Sequence, residues 1–242
     1  MYKDGRFLGA LALAAGLVLS TMVGSRAMIR IKSDDTIQVT GSAKRRIRSD
    51  LVVWDATVSA RAADMAGAYK QIAASMPKVT AYLIKKGIPK SEIVVDSVVT
   101  TALHPHDKDG REIEDTITGY AMSESVQVRS KDVDKVTEVS REATELINDG
   151  VALQSSDPEY HYTKLGDLKI EMLAEAARDS RNRAEQIANS TGAKIGTLRS
   201  ARMGVIQINP ADSTEVSSEG NSDTTSIDKD IITVVASTFA LN

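Results

Sequence analysis

From residue 36 to the C-terminus the apolar residues switch repeatedly between a period of two and a period near 3.6, and only a layered fold of mixed strands and helices accommodates that order. Thr36 to Ala43 sets Ile37, Val39 and Gly41 against Gln38, Thr40 and Ser42, a strand pattern. Leu51 to Arg61 is a second strand, with Val52, Trp54, Ala56, Val58 and Ala60 on one face. Its other face carries Asp55, Thr57, Ser59 and Arg61 and is expected to be half exposed. Arg45, Arg46 and Arg48 read as a basic turn between them.

Asp64 then caps an amphipathic helix with Met65, Tyr69, Ile72, Met76, Val79 and Leu83 inward, closed by Gly87. Pro77 should kink or split it near Ser75. Ile93 to Leu103 and Ile117 to Val128 read as a long hairpin across the turn from His104 to Gly110. Asp132 caps a second helix that buries Val133, Val136, Val139, Ala143 and Ile147 and ends at Gly150. Glu159 to Tyr162 is a short strand. Leu168 to Ser190 is a third helix, with Ile170, Leu173, Ala177, Ala184, Ile187 and Ala188 inward and Gly192 as its stop. Ile195 to Ile208 and Ile231 to Leu241 are strands flanking a polar loop from Asn209 to Asp230. The order is ββα-ββα-βα-ββ, an α+β fold with an antiparallel or mixed sheet, hairpin-paired and packed by three helices.

Ahead of this domain, Phe7 to Val23 carries no charge and follows Lys3 and Arg6. As a helix it would span roughly 26 Å, slightly less than a bilayer core. It is apolar all round, unlike a core helix. Ser25 and Ala27 could precede a signal cleavage, but bulky Met28, Ile29 and Ile31 make a poor site. The stretch is therefore read as a retained anchor within residues 1 to 31, extended by snorkelling of Arg26 and Arg30. The domain from 36 to 242 is then expected in the periplasm, on a single-pass inner-membrane tether.

Composition excludes several classes. With no cysteine there is no disulfide, thiolate metal site or cysteine nucleophile. A net charge of −3 and 4% aromatic residues do not fit a nucleic-acid binder. The histidines are His104, His106 and His161. His104-x-His106-Asp107 is short for a metal site and reads as a hairpin turn. Asp107, Asp109, Glu112, Glu114 and Asp115 lack EF-hand spacing, because Gly110 follows the second aspartate directly. No nucleophile elbow, phosphate loop or His-Glu-x-x-His is present. Arg178, Arg181 and Arg183 alternate with Glu171, Glu175, Asp179 and Glu185, a solvated face of i,i+4 pairs. Trp54 is expected in the core. We expect no catalytic residue, no cofactor and no metal.

Several stretches resemble the SIMPL-domain family, particularly bacterial members of the periplasmic immunogenic protein type. They are Val39 to Ala43, Leu83 to Ile88 with Glu92-Ile93, Gly119-Tyr120, Ala174 to Ala188, and Gly192 to Gly196. The resemblance covers about residues 36 to 242. It implies an envelope protein without established enzymatic activity that forms ring- or barrel-like homo-oligomers, octameric or of 16 subunits in the double ring of one relative. It also implies a link to envelope or oxidative stress. The anchor and Pro77 are departures. Together these readings give a membrane-tethered structural protein that assembles with itself. The alternative is an envelope binding module with an apolar groove for a lipid, peptide or membrane-protein partner.

Overall fold

The computed structural model describes residues 16, 18, 20–22 and 35–242. Most of the stretch read as an anchor, together with Ser25 and Ala27, lies outside the described residues. Among the described residues no helix is long and apolar enough to cross a membrane, so the N-terminal span rests on sequence alone.

Residues 35–242 form ten strands and three α-helices: β1 Thr36–Arg48, β2 Leu51–Ala62, α1 Met65–Lys85, β3 Ile93–Val95, β4 Val99–Leu103, β5 Gly119–Ser130, α2 Val133–Glu142, β6 Leu153–Ser155, β7 Glu159–His161, α3 Leu165–Ser190, β8 Ile195–Met203, β9 Gln207–Pro210 and β10 Asp228–Leu241. The chain divides into two compact units. Among the described residues, one comprises those up to Ala43 with Ile170–Val205 and Thr233–Asn242; the other comprises Lys44–Lys169 and Ile206–Ile232.

The second unit is built on a six-stranded sheet of order β3-β5-β2-β6, with β4 also on β5 and β7 also on β2. Its spine is the antiparallel β2–β5 pair, in unbroken register from Val52↔Ser130 to Ala62↔Tyr120. The face of β2 assigned to the core is buried throughout, and Trp54 is fully enclosed. The indole Nε1 donates to Ser155 Oγ at 3.0 Å and to the Ser156 carbonyl at 3.1 Å, so the ring enters the core without stranding its one polar atom. The expected long hairpin exists: β4 and β3 both run antiparallel along β5, from Leu103↔Gly119 to Ile93↔Val128. Asp107 shapes its tip by accepting from the Asp109 and Arg111 amides, and Gly110 supplies the positive φ.

Three helix expectations shift. α1 runs unbroken through Pro77 and buries Ala68, Ile72, Met76, Val79 and Leu83, leaving Met65 and Tyr69 exposed. α2 tightens into a 3₁₀ turn at Ala143–Asp149. Three residues per turn bring Leu146 inward, not Ile147, which stays exposed. In α3 the inner residues are Met172, Ala176, Ser180, Ala184 and Ala188, whereas Ile170 and Ile187 face outward.

The first expected hairpin does not form. Only Ser49 and Asp50 separate β1 from β2, yet β1 pairs with β10 and β2 with β5. The linker's hydrogen bonds go elsewhere: the Ser49 amide donates to Ile227 O, the Asp50 amide to His161 O, and the Asp50 carboxylate accepts from Thr163. The basic residues read as a turn are strand residues of β1.

In the first unit β10 pairs antiparallel with β8, from Val235↔Met203 to Leu241↔Ile195. α3 lies very close to β1: a Cβ at Gly41 would meet Ala176 O and Ser180 N at 2.2 Å each. Ser180 Oγ and Ser237 Oγ are 2.8 Å apart in the interior, and the Ser42 amide donates to Asp179. Small side chains every fourth residue on α3 make this approach possible.

Candidate functional site: an apolar groove and an open sheet edge

The buried stripe of α1 covers β2 and β5, but one flank of the helix remains bare. Tyr69, Ala73, Pro77, Ala81 and Ile84 line an open groove of about 520 Å³, completed by Val98 and Glu124. That volume falls in the range of small-ligand sites, which are mostly apolar with a few placed polar groups.

Glu124 is the polar group. It stands on the core-facing row of β5 between the buried Met122 and Val126. The edge strand is irregular at this level. Val95 pairs with Val126 and Val99 with Ser123, so Asp96, Ser97 and Val98 stand opposite only Glu124 and Ser125. This is a one-residue bulge beside the carboxylate, of the kind that re-aims side chains near binding sites. Among the described residues no hydrogen bond or ion pair reaches the Glu124 carboxylate. Burial pushes its pKa above the ordinary value.

A second surface belongs to the first unit. β8 pairs with β10 on one side only, and no strand covers its other side among the described residues. It is exposed from Thr197 to Met203, including Leu198 and Met203. Bare strand edges carrying apolar side chains are templates for pairing with another chain.

The polar loop from Asn209 to Asp230 is tied down from beneath. Asn209 and Gln207 side-chain amides donate to Glu215 O and Ser217 O, both at 2.7 Å. Lys229 and Asp223 form a buried pair at 3.2 Å. Burial lowers the Lys229 pKa. Burial also works to raise Asp223, but hydrogen bonds from Thr225 and the Lys229 charge prevail and hold it below the ordinary value. Asp230, with a side chain 1% exposed, accepts from Arg46 Nε at 2.9 Å, Lys44 Nζ at 2.9 Å and the Asp212 amide at 2.8 Å. The Arg46 hydrogen bond outweighs burial and keeps the Asp230 carboxyl far below its ordinary range; Asp230 in turn raises Arg46. The amide anchored by Asp230 belongs to Asp212, the one non-glycine described residue with positive φ. Of the basic residues read as a turn, Arg46 is thus held by Asp230, and Arg48 pairs with Asp134, both through half-exposed side chains.

The histidines do not converge into a site. His104 Nδ1 lies 2.9 Å from Thr116 O, the His106 backbone forms an isolated antiparallel β-bridge with Glu112 in the hairpin tip, and His161 is 3.3 Å from Glu159 on β7. Among the described residues no group of three or more His, Asp or Glu side chains is placed to hold a metal ion. On α3, Arg181–Glu185 at 3.0 Å and Arg183–Asp179 at 2.7 Å are the expected i,i+4 pairs. Glu124 was missed because Tyr120, Met122, Val126 and Val128 alternate well enough to carry the strand without it. An acid in phase with that row was the available signal.

A family model described as SIMPL, protein of unknown function (DUF541), matches residues 37–240. The chain belongs to the SIMPL family. A similar SIMPL-type protein is the uncharacterized protein YggE of Edwardsiella ictaluri (strain 93-146), 26% identical over 214 residues, which cover 86% of this chain and 84% of that one. Among solved structures, an unknown protein from Galdieria sulphuraria aligns at 12% identity over 78% of this chain and 82% of its own, with a TM-score of 0.18. An uncharacterized conserved protein from Listeria innocua aligns at 13% identity over 82% and 92%, with a TM-score of 0.21. The stretches that carried the SIMPL resemblance now have physical roles: Gly41 admits α3, Gly119 comes within a Cβ's reach of Ala62 O at 2.7 Å, and Gly87 and Gly192 take the positive φ that ends α1 and α3.

Proposed function

We propose that this SIMPL protein is a structural component of the cell envelope that assembles with itself through open sheet edges, held to the inner membrane by the apolar stretch Phe7 to Val23 with its domain in the periplasm. β8 carries the proposal. It is a nine-residue edge strand, with no strand on its other side among the described residues, exposed along most of its length with Leu198 and Met203 outward. Pairing β8 with a strand of the next subunit satisfies its free amides and carbonyls and removes those side chains from water. A head-to-tail contact of this kind closes into a ring when its rotation permits. The absence of cysteine is compatible with an oxidising compartment.

Mass photometry of the full-length protein in mild detergent tests the reading. The expected result is a discrete species at a multiple of the 26.0 kDa chain. Leu198→Lys with Met203→Lys should return it to monomers while leaving its circular dichroism unchanged. A wild-type monomer at micromolar concentration would overturn the proposal. Protease protection in sealed inner-membrane vesicles tests the topology separately.

A further inference from the structure

The groove on α1 is independent of the β8 edge and has a chemistry of its own. From Tyr69 to Ile84 the helix advances roughly 22 Å. Along that length the groove offers methyl, methylene and ring surface, with the Glu124 carboxylate among its lining groups. Glu124 is half-buried on the core-facing row of β5, and that burial disfavours its charged form unless a cation stands beside it. Asp230 and Asp223 in the same unit have cationic partners, and Glu124 has none among the described residues. The neighbouring edge strand bulges at Asp96-Ser97-Val98, just where a regular strand would place a residue opposite Glu124.

We propose that this groove is a ligand site for an aliphatic amine, an apolar chain lying along Ala73, Pro77 and Ala81 with its ammonium on the Glu124 carboxylate. The chain covers the bare flank of α1. The ammonium supplies the charge-assisted hydrogen bond that the carboxylate lacks. A metal ion is the weaker fit, because no group of three or more ligating side chains exists among the described residues. An alcohol gains only the apolar part of the interaction, and a carboxylate-headed chain is repelled.

Methyl NMR of the full-length chain with hexylammonium, 1-hexanol and hexanoate as probes decides the matter. Saturable shifts confined to Ala73, Met76, Ala81, Ile84 and Val98 are expected with hexylammonium, at an affinity at least tenfold above 1-hexanol, and none with hexanoate. Glu124→Gln, which keeps the shape and removes the charge, should cost about tenfold for hexylammonium and leave 1-hexanol unchanged. Ala73→Phe, which fills the groove, should abolish both. Equal binding of amine and alcohol, an amine affinity unchanged by Glu124→Gln, or shifts that never saturate would each overturn the proposal. Oligomeric state is untouched by these outcomes, so this failure is distinguishable from a failure of the assembly reading.

Discussion

Gly41→Ala is the sharpest test of how the first unit is held together. The added Cβ would sit 2.2 Å from both Ala176 O and Ser180 N, and 2.7 Å from Ser180 Cα. Non-bonded heavy atoms rest near 3.5 Å, so α3 must move off β1 by about 1.3 Å at this point. The obstructing atoms are backbone on one helix face, so no side-chain rotation relieves the clash. Moving α3 also strains the buried Ser180–Ser237 hydrogen bond and loosens the packing of Ala184 against Val39 and Phe239. Overpacking of this kind costs about 1–3 kcal/mol, and loss of the buried hydrogen bond about 1 more. The lower entropy of an unfolded alanine returns about 0.5 kcal/mol. A net loss of about 2–3 kcal/mol follows, a fall in Tm of roughly 5–10 °C for a chain of this size. Urea unfolding followed by far-ultraviolet circular dichroism measures it, and Trp54 fluorescence reports separately on the second unit. Gly166→Ala is the control. That glycine is in α3 with nothing within 4 Å of its Cβ position, so alanine there should stabilise by up to about 1 kcal/mol. If Gly41→Ala unfolds within about 0.5 kcal/mol of the wild type, the close approach of α3 is not what this glycine serves.

Three further outcomes follow from the second unit. Trp54→Phe removes the indole donor shared by Ser155 Oγ and Ser156 O and leaves a space in the core, and it should cost about 2 kcal/mol in urea denaturation. Lys229→Met strands a carboxylate whose side chain is 6% exposed and cuts the tie to Asp223 O, at a cost of about 3 kcal/mol; limited proteolysis should then cleave between 211 and 227, where the wild type resists. Asp230 is held below its ordinary pKa in the fold, so the unfolded chain takes up that proton first. Its stabilisation is complete above about pH 4 and is lost as pH falls from there toward the folded value. Asp230→Asn should therefore flatten the acid limb of stability against pH below 4 while lowering stability at neutral pH, as read from Tm across a pH series.

The contrast between what was legible in the sequence and what was not follows from the size of side chains and the reach of hydrogen bonds. β2 could be read because alternation along one strand is local, and Val52, Trp54, Ala56 and Val58 face inward as that pattern requires. The inner face of α3 could be read only in part: Ala184 and Ala188 are buried as expected, but the large aliphatics Ile170 and Ile187 were taken for core while the helix also packs through Met172, Ala176 and Ser180. A close helix–strand approach selects small residues, so the densest contact in the unit carries the weakest hydrophobic signal. The first hairpin failed for another reason: a two-residue link looks like a tight turn, but where its amides bond depends on Ile227 and His161, far along the chain. The same blindness hid Glu124. Alternation is judged by the residues that obey it, and a single charge in phase with Met122 and Val126 looks like noise until the fold shows that, among the described residues, no hydrogen bond or ion pair reaches it. Partial burial of a partnerless acid on that row disfavours its charged form, and a cation in the groove, as proposed above, would favour it again.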